Sequence, residues 1–273
     1  MTLIRFLKSL KLLITTPHAR IIASLRFNFR HLPFEQSILL PVFIYGYTEI
    51  NIGKSGRIIL KPTYVTAGMI KIGILLCDIW GHKPWMSTRL NIEGVWEING
   101  VAEIGNGSIV YVGKKARLSV GHAFFLHARS KIVCYESITI GRRVRTSWEV
   151  QIFDTNFHYL LNTDRNEIGY NNKPIKIGNY CWIGNRVSIM KGTVLPDGST
   201  VAANSVANKD FTQYGENCVF AGQPAIHKKS SVRRLWVPAY FDLTIDEYFK
   251  NTNKRSLSLD SDECSFIRER MLT

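Results

Sequence analysis

His158, in the stretch FDTNFHYLLN, is the residue whose type and setting point most directly to proton-transfer chemistry. It stands in residues 153–176, where a regular pattern of apolar residues breaks off before resuming. Long insertions without a pattern of their own inside an economical fold are usually functional or disordered. An imidazole titrates near neutral pH and can take a proton from a hydroxyl group. Such a base is commonly oriented by a carboxylate, and two are close in sequence, Asp154 and Glu167; the sequence does not choose between them.

The pattern on either side of this break must position the histidine. In KIGNYCWIGNRVSIMKGTVLPDGSTVAANSV, Ile177, Ile183, Ile189, Leu195 and Val201 recur every sixth residue. A helix repeats every 3.6 residues and a strand every 2, so neither explains six. Four residues after each comes a small or β-branched residue: Cys181, Val187, Thr193, Ser199 and Ser205. This rhythm predicts short strands laid around a three-sided prism, each turning one bulky and one small side chain inward. The corners then need unusual backbone angles, which predicts Gly, Asn and Asp there. Stacked coils of eighteen residues would bury one continuous apolar column. Upstream the same phase appears in pieces: Ile92, Ile98, Ile104 and Val110, then Val120, Leu126, Ile132 and Ile138, then Ile140 and Ile152. Those shifts predict irregular corners.

The organisation expected is therefore a helical, basic lead-in over 1–41, a solenoid over 42–230 interrupted at 153–176, and a polar tail over 231–273 with a short helix near DLTIDEYFKN. The 273 residues carry a formal charge of +14, which points to an anionic partner such as a phosphorylated molecule or a membrane surface. Five cysteines (77, 134, 181, 218 and 264) show no CxxC pair, which favours a reducing compartment. The opening MTLIRFLKSLKLLITTPHAR is broken by Arg5, Lys8 and Lys11, so it reads as a basic amphipathic helix and not a membrane span. It is expected either to pack on the body of the protein or to touch a membrane surface.

The hexapeptide run, with IGNYCWIGNRVSIMKGTVLPDGSTVAANSVANKD and the closing VFAGQPA, resembles the left-handed β-helix acyltransferases. The nearest branch is the galactoside, maltose and surface-polysaccharide O-acetyltransferases. The resemblance implies an all-β solenoid, a left-handed parallel β-helix of hexapeptide repeats, assembled as a trimer. It implies acetyl transfer from acetyl-CoA to a sugar hydroxyl, free, nucleotide-linked or lipid-linked. His158 would deprotonate the acceptor directly, with no acyl-enzyme and no metal. By the same resemblance, Trp182, Asn185, Ala203, Asn208 and Lys209 match positions that meet the pantetheine arm. Lys209, with Lys228, Lys229, Arg233 and Arg234, would meet the CoA phosphates. The chain departs from the pattern at Ile226, where relatives carry a basic residue, and at FFLHARSK, where they carry an acceptor-holding asparagine. That leaves His127 and Arg129 as acceptor candidates. A cytoplasmic enzyme in surface-polysaccharide synthesis, peripheral to the inner membrane, is the expectation.

Two other readings compete. β-Helix carbonic anhydrases bind zinc through three histidines, two of them five residues apart; His122 and His127 have that spacing, and His82 lies forty residues earlier. A non-enzymatic scaffold or nucleic-acid binder would use the positive charge and RFNFRHLPF, yet no nucleic-acid module and no phosphate-binding glycine loop is present.

Overall fold

The computed structural model describes residues 2–61, 64–75, 86–236, 239–252 and 255–258. Residues 1–233 form one compact unit and residues 234–273 a second. In the second, the polar tail contains a helix, Ala239–Thr252, where one was expected. His82, Cys77 and Cys264 lie outside the described residues.

Period six becomes a β-helix. Among the described residues, three long sheets of nine, seven and six strands form the faces of a prism, and nearly all of their pairings are parallel. Each face stacks the same inward position from successive coils. Ile140, Ile177 and Leu195 align on the six-stranded face. Thr146, Ile183, Val201 and Phe220 align on the nine-stranded face, and Ile132, Ile152, Ile189 and Ala207 on the seven-stranded one. All five of the period-six residues are 0–1% exposed, and so are Cys181, Val187, Thr193, Ser199 and Ser205. One large and one small residue per side thus fill a single apolar column. Burial pushes the Cys181 thiol up to about 12, so it serves as packing and not as a nucleophile.

Upstream coils are longer. Leu90, Val110, Ile132 and Ile152 stack at spacings of 20, 22 and 20 residues, and the extra residues sit at corners. This explains the broken phase of the sequence. Corners take left-handed backbone angles as expected, but many do so at charged or aromatic residues: Arg129, Arg143, Glu149, Tyr180 and Arg186 have φ between 53° and 60°. Neighbouring coils compensate through side chains. Asn179 donates from its backbone and side-chain nitrogens to Asp197, each at 2.8 Å, and its Oδ1 accepts the Arg142 N–H at 2.9 Å. Glycine is needed where coils touch: a Cβ on Gly184 would lie 2.6 Å from the Ala203 nitrogen.

The lead-in folds as α1 (Thr2–Thr15), α2 (Ile21–His31) and the short α3 (Phe34–Ser37). Leu13 of α1 is buried with Leu40, Phe43 and Tyr45, so the first turn of the solenoid is covered by helix. Asn28 of α2 donates from its side chain to the Val42 carbonyl and accepts the Val42 N–H, at 2.7 and 3.1 Å, which ties α2 to the first strand.

Candidate active site

The interruption at 153–176 is a built structure. The chain leaves the seven-stranded face after Gln151–Phe153 and rejoins the six-stranded face at Ile175–Ile177. Between them it forms an arm whose strands Leu161–Asn162 and Glu167–Ile168 pair antiparallel. The arm closes at its base through a bridge between Thr155 and Asn172, and at its tip Asn162 Oδ1 accepts the N–H groups of Asp164 and Arg165. His158 stands near the base and is exposed. A tight turn places it there: its N–H donates to the Asn156 carbonyl at 2.7 Å, and Phe157 before it has φ of 64°.

The two carboxylates proposed to orient the ring have different surroundings. Asp154 is fully buried, and its oxygens accept the N–H groups of Tyr135, Glu136 and Ser137 at 2.7, 2.8 and 2.9 Å. The structure gives it another task, holding the corner of the coil beneath the arm. Glu167 is exposed on the arm and pairs through its backbone with Asn162.

The remaining candidates fall on two edges of the prism. Asn208 and Lys209 are exposed at the edge between the seven- and six-stranded faces, the edge from which the arm emerges. Lys209 Nζ lies 5.5 Å from the Phe211 ring centroid. Trp182 is 38% exposed on the nine-stranded face, between Arg145 and Thr200. Asn185 and the exposed Ala203 follow at the edge between the nine- and seven-stranded faces. His127 and Arg129 are on that same edge. There Glu149 bridges two guanidinium groups, Arg129 at 2.7 Å and Arg186 at 2.8 Å. The Arg186 hydrogen bond, aided by attraction to Arg129, holds the Glu149 carboxyl below its usual range. Lys229 is exposed at the C-terminal end of the solenoid, where VFAGQPA turns back as a hairpin pairing Val219–Gly222 with Ala225–Lys229. Within one chain, His158 and the group around Trp182 therefore lie at different edges. His122 and His127 flank the strand Phe124–Leu126 and likewise point to different edges.

An aromatic patch adjoining the arm escaped the sequence reading. Tyr135 packs its ring 5.2 Å from Tyr111 and 6.1 Å from Phe157, and Phe157 lies 5.6 Å from Phe153. Tyr135 and Phe157 are 42% and 49% exposed, so the patch faces solvent immediately beside His158. Burial, and then its hydrogen bond with Tyr135, pushes the Tyr111 phenol up to about 12, which keeps it protonated as a hydrogen-bonding group. The only signal in the sequence was Tyr111, Tyr135, Phe153 and Phe157 at outward positions, which carry no periodic mark.

No family model matches the chain. Sequence relatives do. WbbJ of Escherichia coli K12, named as a putative lipopolysaccharide biosynthesis O-acetyl transferase, is 32% identical over 120 residues, covering 40% of this chain and 59% of that protein. The galactoside O-acetyltransferase of the same organism is 31% identical over 117 residues, 42% of this chain and 55% of the relative. The match thus spans little more than half the length of these relatives. Among solved structures, the polySia-specific acetyltransferase NeuO superposes with a TM-score of 0.48 at 18% identity, covering 81% of this chain and 90% of that one. The chain folds as a β-helix of stacked repeats, and its repeat region is similar in sequence to these two proteins over little more than half of their length.

Proposed function

We propose that this protein transfers an acetyl group from acetyl-CoA to a sugar hydroxyl during synthesis of a bacterial surface polysaccharide, with His158 as general base. The observation that carries this reading is the exposed His158 on an ordered arm of a solenoid whose sequence relatives are O-acetyltransferases. His158 takes the proton from the acceptor hydroxyl as its oxygen attacks the thioester carbonyl. The imidazolium then returns that proton to the departing thiolate, and a backbone N–H stabilises the oxyanion between the two steps. Glu167 is the carboxylate still free to orient the ring, since Asp154 is engaged with backbone amides.

The separation of candidates between two edges supports a site shared by copies in a trimer. The arm of one protomer would face the Trp182, Asn185 and Ala203 edge of the next, where the donor lies, with Lys229 at the solenoid's end toward the CoA phosphates. His127 and Arg129 would then approach the acceptor from the donor side. The exposed rings of Tyr135 and Phe157 suit the apolar face of a sugar. A lipid-linked acceptor would suit a cytoplasmic enzyme working at the inner membrane. The test is free-thiol release from acetyl-CoA across a panel of sugars and repeat-unit glycans. Sugar-dependent release that collapses in His158→Ala while CoA binding persists is expected; unchanged turnover in that variant overturns the assignment.

A further inference from the structure

We infer that the N-terminal helices form a docking face for an anionic lipid bilayer, an inference independent of the acyl-transfer reading. The helix α1 uses only one side for packing, through Phe6, Leu10 and Leu13. Beside that packed strip the helix leaves large apolar groups in solvent: Leu3, Ile4, Leu7 and Ile14 are 68%, 60%, 52% and 57% exposed. Positions 3, 7 and 14 fall on one stripe of a helix, so these side chains are neighbours and not scattered. The helix α2, joined to α1 by an edge contact between Phe6 and Phe29 at 6.1 Å, adds Ile22 at 82% exposure. Apolar surface so concentrated on a soluble face needs a cover.

The charge identifies the cover. Residues 1–34 contain no Asp or Glu, whereas they carry Arg5, Lys8, Lys11, Arg20, Arg26 and Arg30. None of these six takes part in an ion pair among the described residues. Arg20, Arg26 and Arg30, together with His31, line a groove of about 890 Å³ between α2 and Thr48–Ile52, whose Ile50 and Ile52 are inward positions of the first coil, so the groove lies at the N-terminal end of the solenoid. Burial, then the charges of Arg30 and Arg26, lowers the His31 pKa. A second copy presenting the same surface would repel it, and a neutral apolar partner would leave the arginines without counterions. Anionic headgroups satisfy both needs, with the Leu3, Leu7 and Ile14 stripe entering the acyl boundary and the basic groups meeting phosphates. Among the described residues no helix is long and apolar enough to cross a membrane, and α1 has 14 residues, so the contact lies along the surface.

The test is co-sedimentation of the full-length protein with vesicles of phosphatidylcholine alone or with added phosphatidylglycerol. Binding at least about tenfold tighter to the anionic vesicles, weakened by salt, is expected. Leu7→Glu and the pair Lys8→Glu with Lys11→Glu, all at exposed positions, should each abolish it while the melting temperature and oligomeric state stay unchanged. Equal binding to both vesicle types, no binding, or loss of oligomers in Leu7→Glu would each overturn the inference, the last by showing the face to be a contact between copies.

Discussion

Within the wall of the solenoid, Ile152 and Ile189 stack in register and are fully buried, whereas His158, six residues after Ile152, stands on an arm exposed from residue 157 to 170. The junction between the two regions is Asp154, buried and bound to three backbone amides. A residue in the wall answers to packing density and to hydrogen-bond satisfaction. The exposed side chain of His158 on the arm is not packed into the column, so its chemistry is open to a ligand. The comparison predicts that substitutions in the wall are read in stability and substitutions on the arm in turnover.

The sharpest separation should come from the arm itself. His158→Ala is expected to lower turnover by about two to four orders of magnitude with no change in melting temperature. Four residues earlier the effect should invert. Asp154→Ala removes the acceptor of three N–H groups at a part-buried corner and leaves a void at a fully buried site, so thermal denaturation should shift downward. Deep in the wall, Ile189→Ala removes a fully buried side chain and should cost about 2–5 kcal/mol in chemical denaturation. Beside the arm, Tyr135→Ala should raise KM for the glycan several-fold and leave KM for acetyl-CoA unaltered. A fall in melting temperature without that KM change would make the aromatic patch structural.

The smallest effect belongs to the opposite edge. Arg129 and Arg186 are 49% and 63% exposed, so the Glu149 clasp contributes at most about 1 kcal/mol. Because the folded Glu149 pKa is depressed, its contribution is present above the unfolded value and is lost as pH falls through the folded one. The stability difference between wild type and Glu149→Gln should therefore shrink as pH is lowered below about 4.

Legibility followed the same division. Ile177 to Val201 could be read directly, because burial on one side of each strand writes a period into the sequence. The upstream coils were blurred because longer corners displaced Val110, Ile132 and Ile152 from a constant step. Asp154 is near His158 in sequence, but the N–H groups that its carboxylate accepts lie 17 to 19 residues back, a distance set by coil stacking. The corner φ values at Arg129, Glu149 and Tyr180 were hidden because coil-to-coil contacts override the local preference for glycine. Outward residues such as Tyr135 obey no period, so neither the aromatic patch nor the unequal distribution of site residues between two edges could be seen before the fold was known.

That distribution is the centre of the account, and subunit complementation tests it most directly. His158→Ala removes the base at one edge, and Ala203→Trp fills the proposed donor groove at another. Each pure variant should be nearly inactive. Mixed by co-refolding or co-expression, they should recover a measurable fraction of wild-type turnover, because some interfaces then pair an intact arm with an intact donor edge. Mixtures as inactive as the parents, or full turnover by an isolated wild-type monomer, would contradict a site shared between copies.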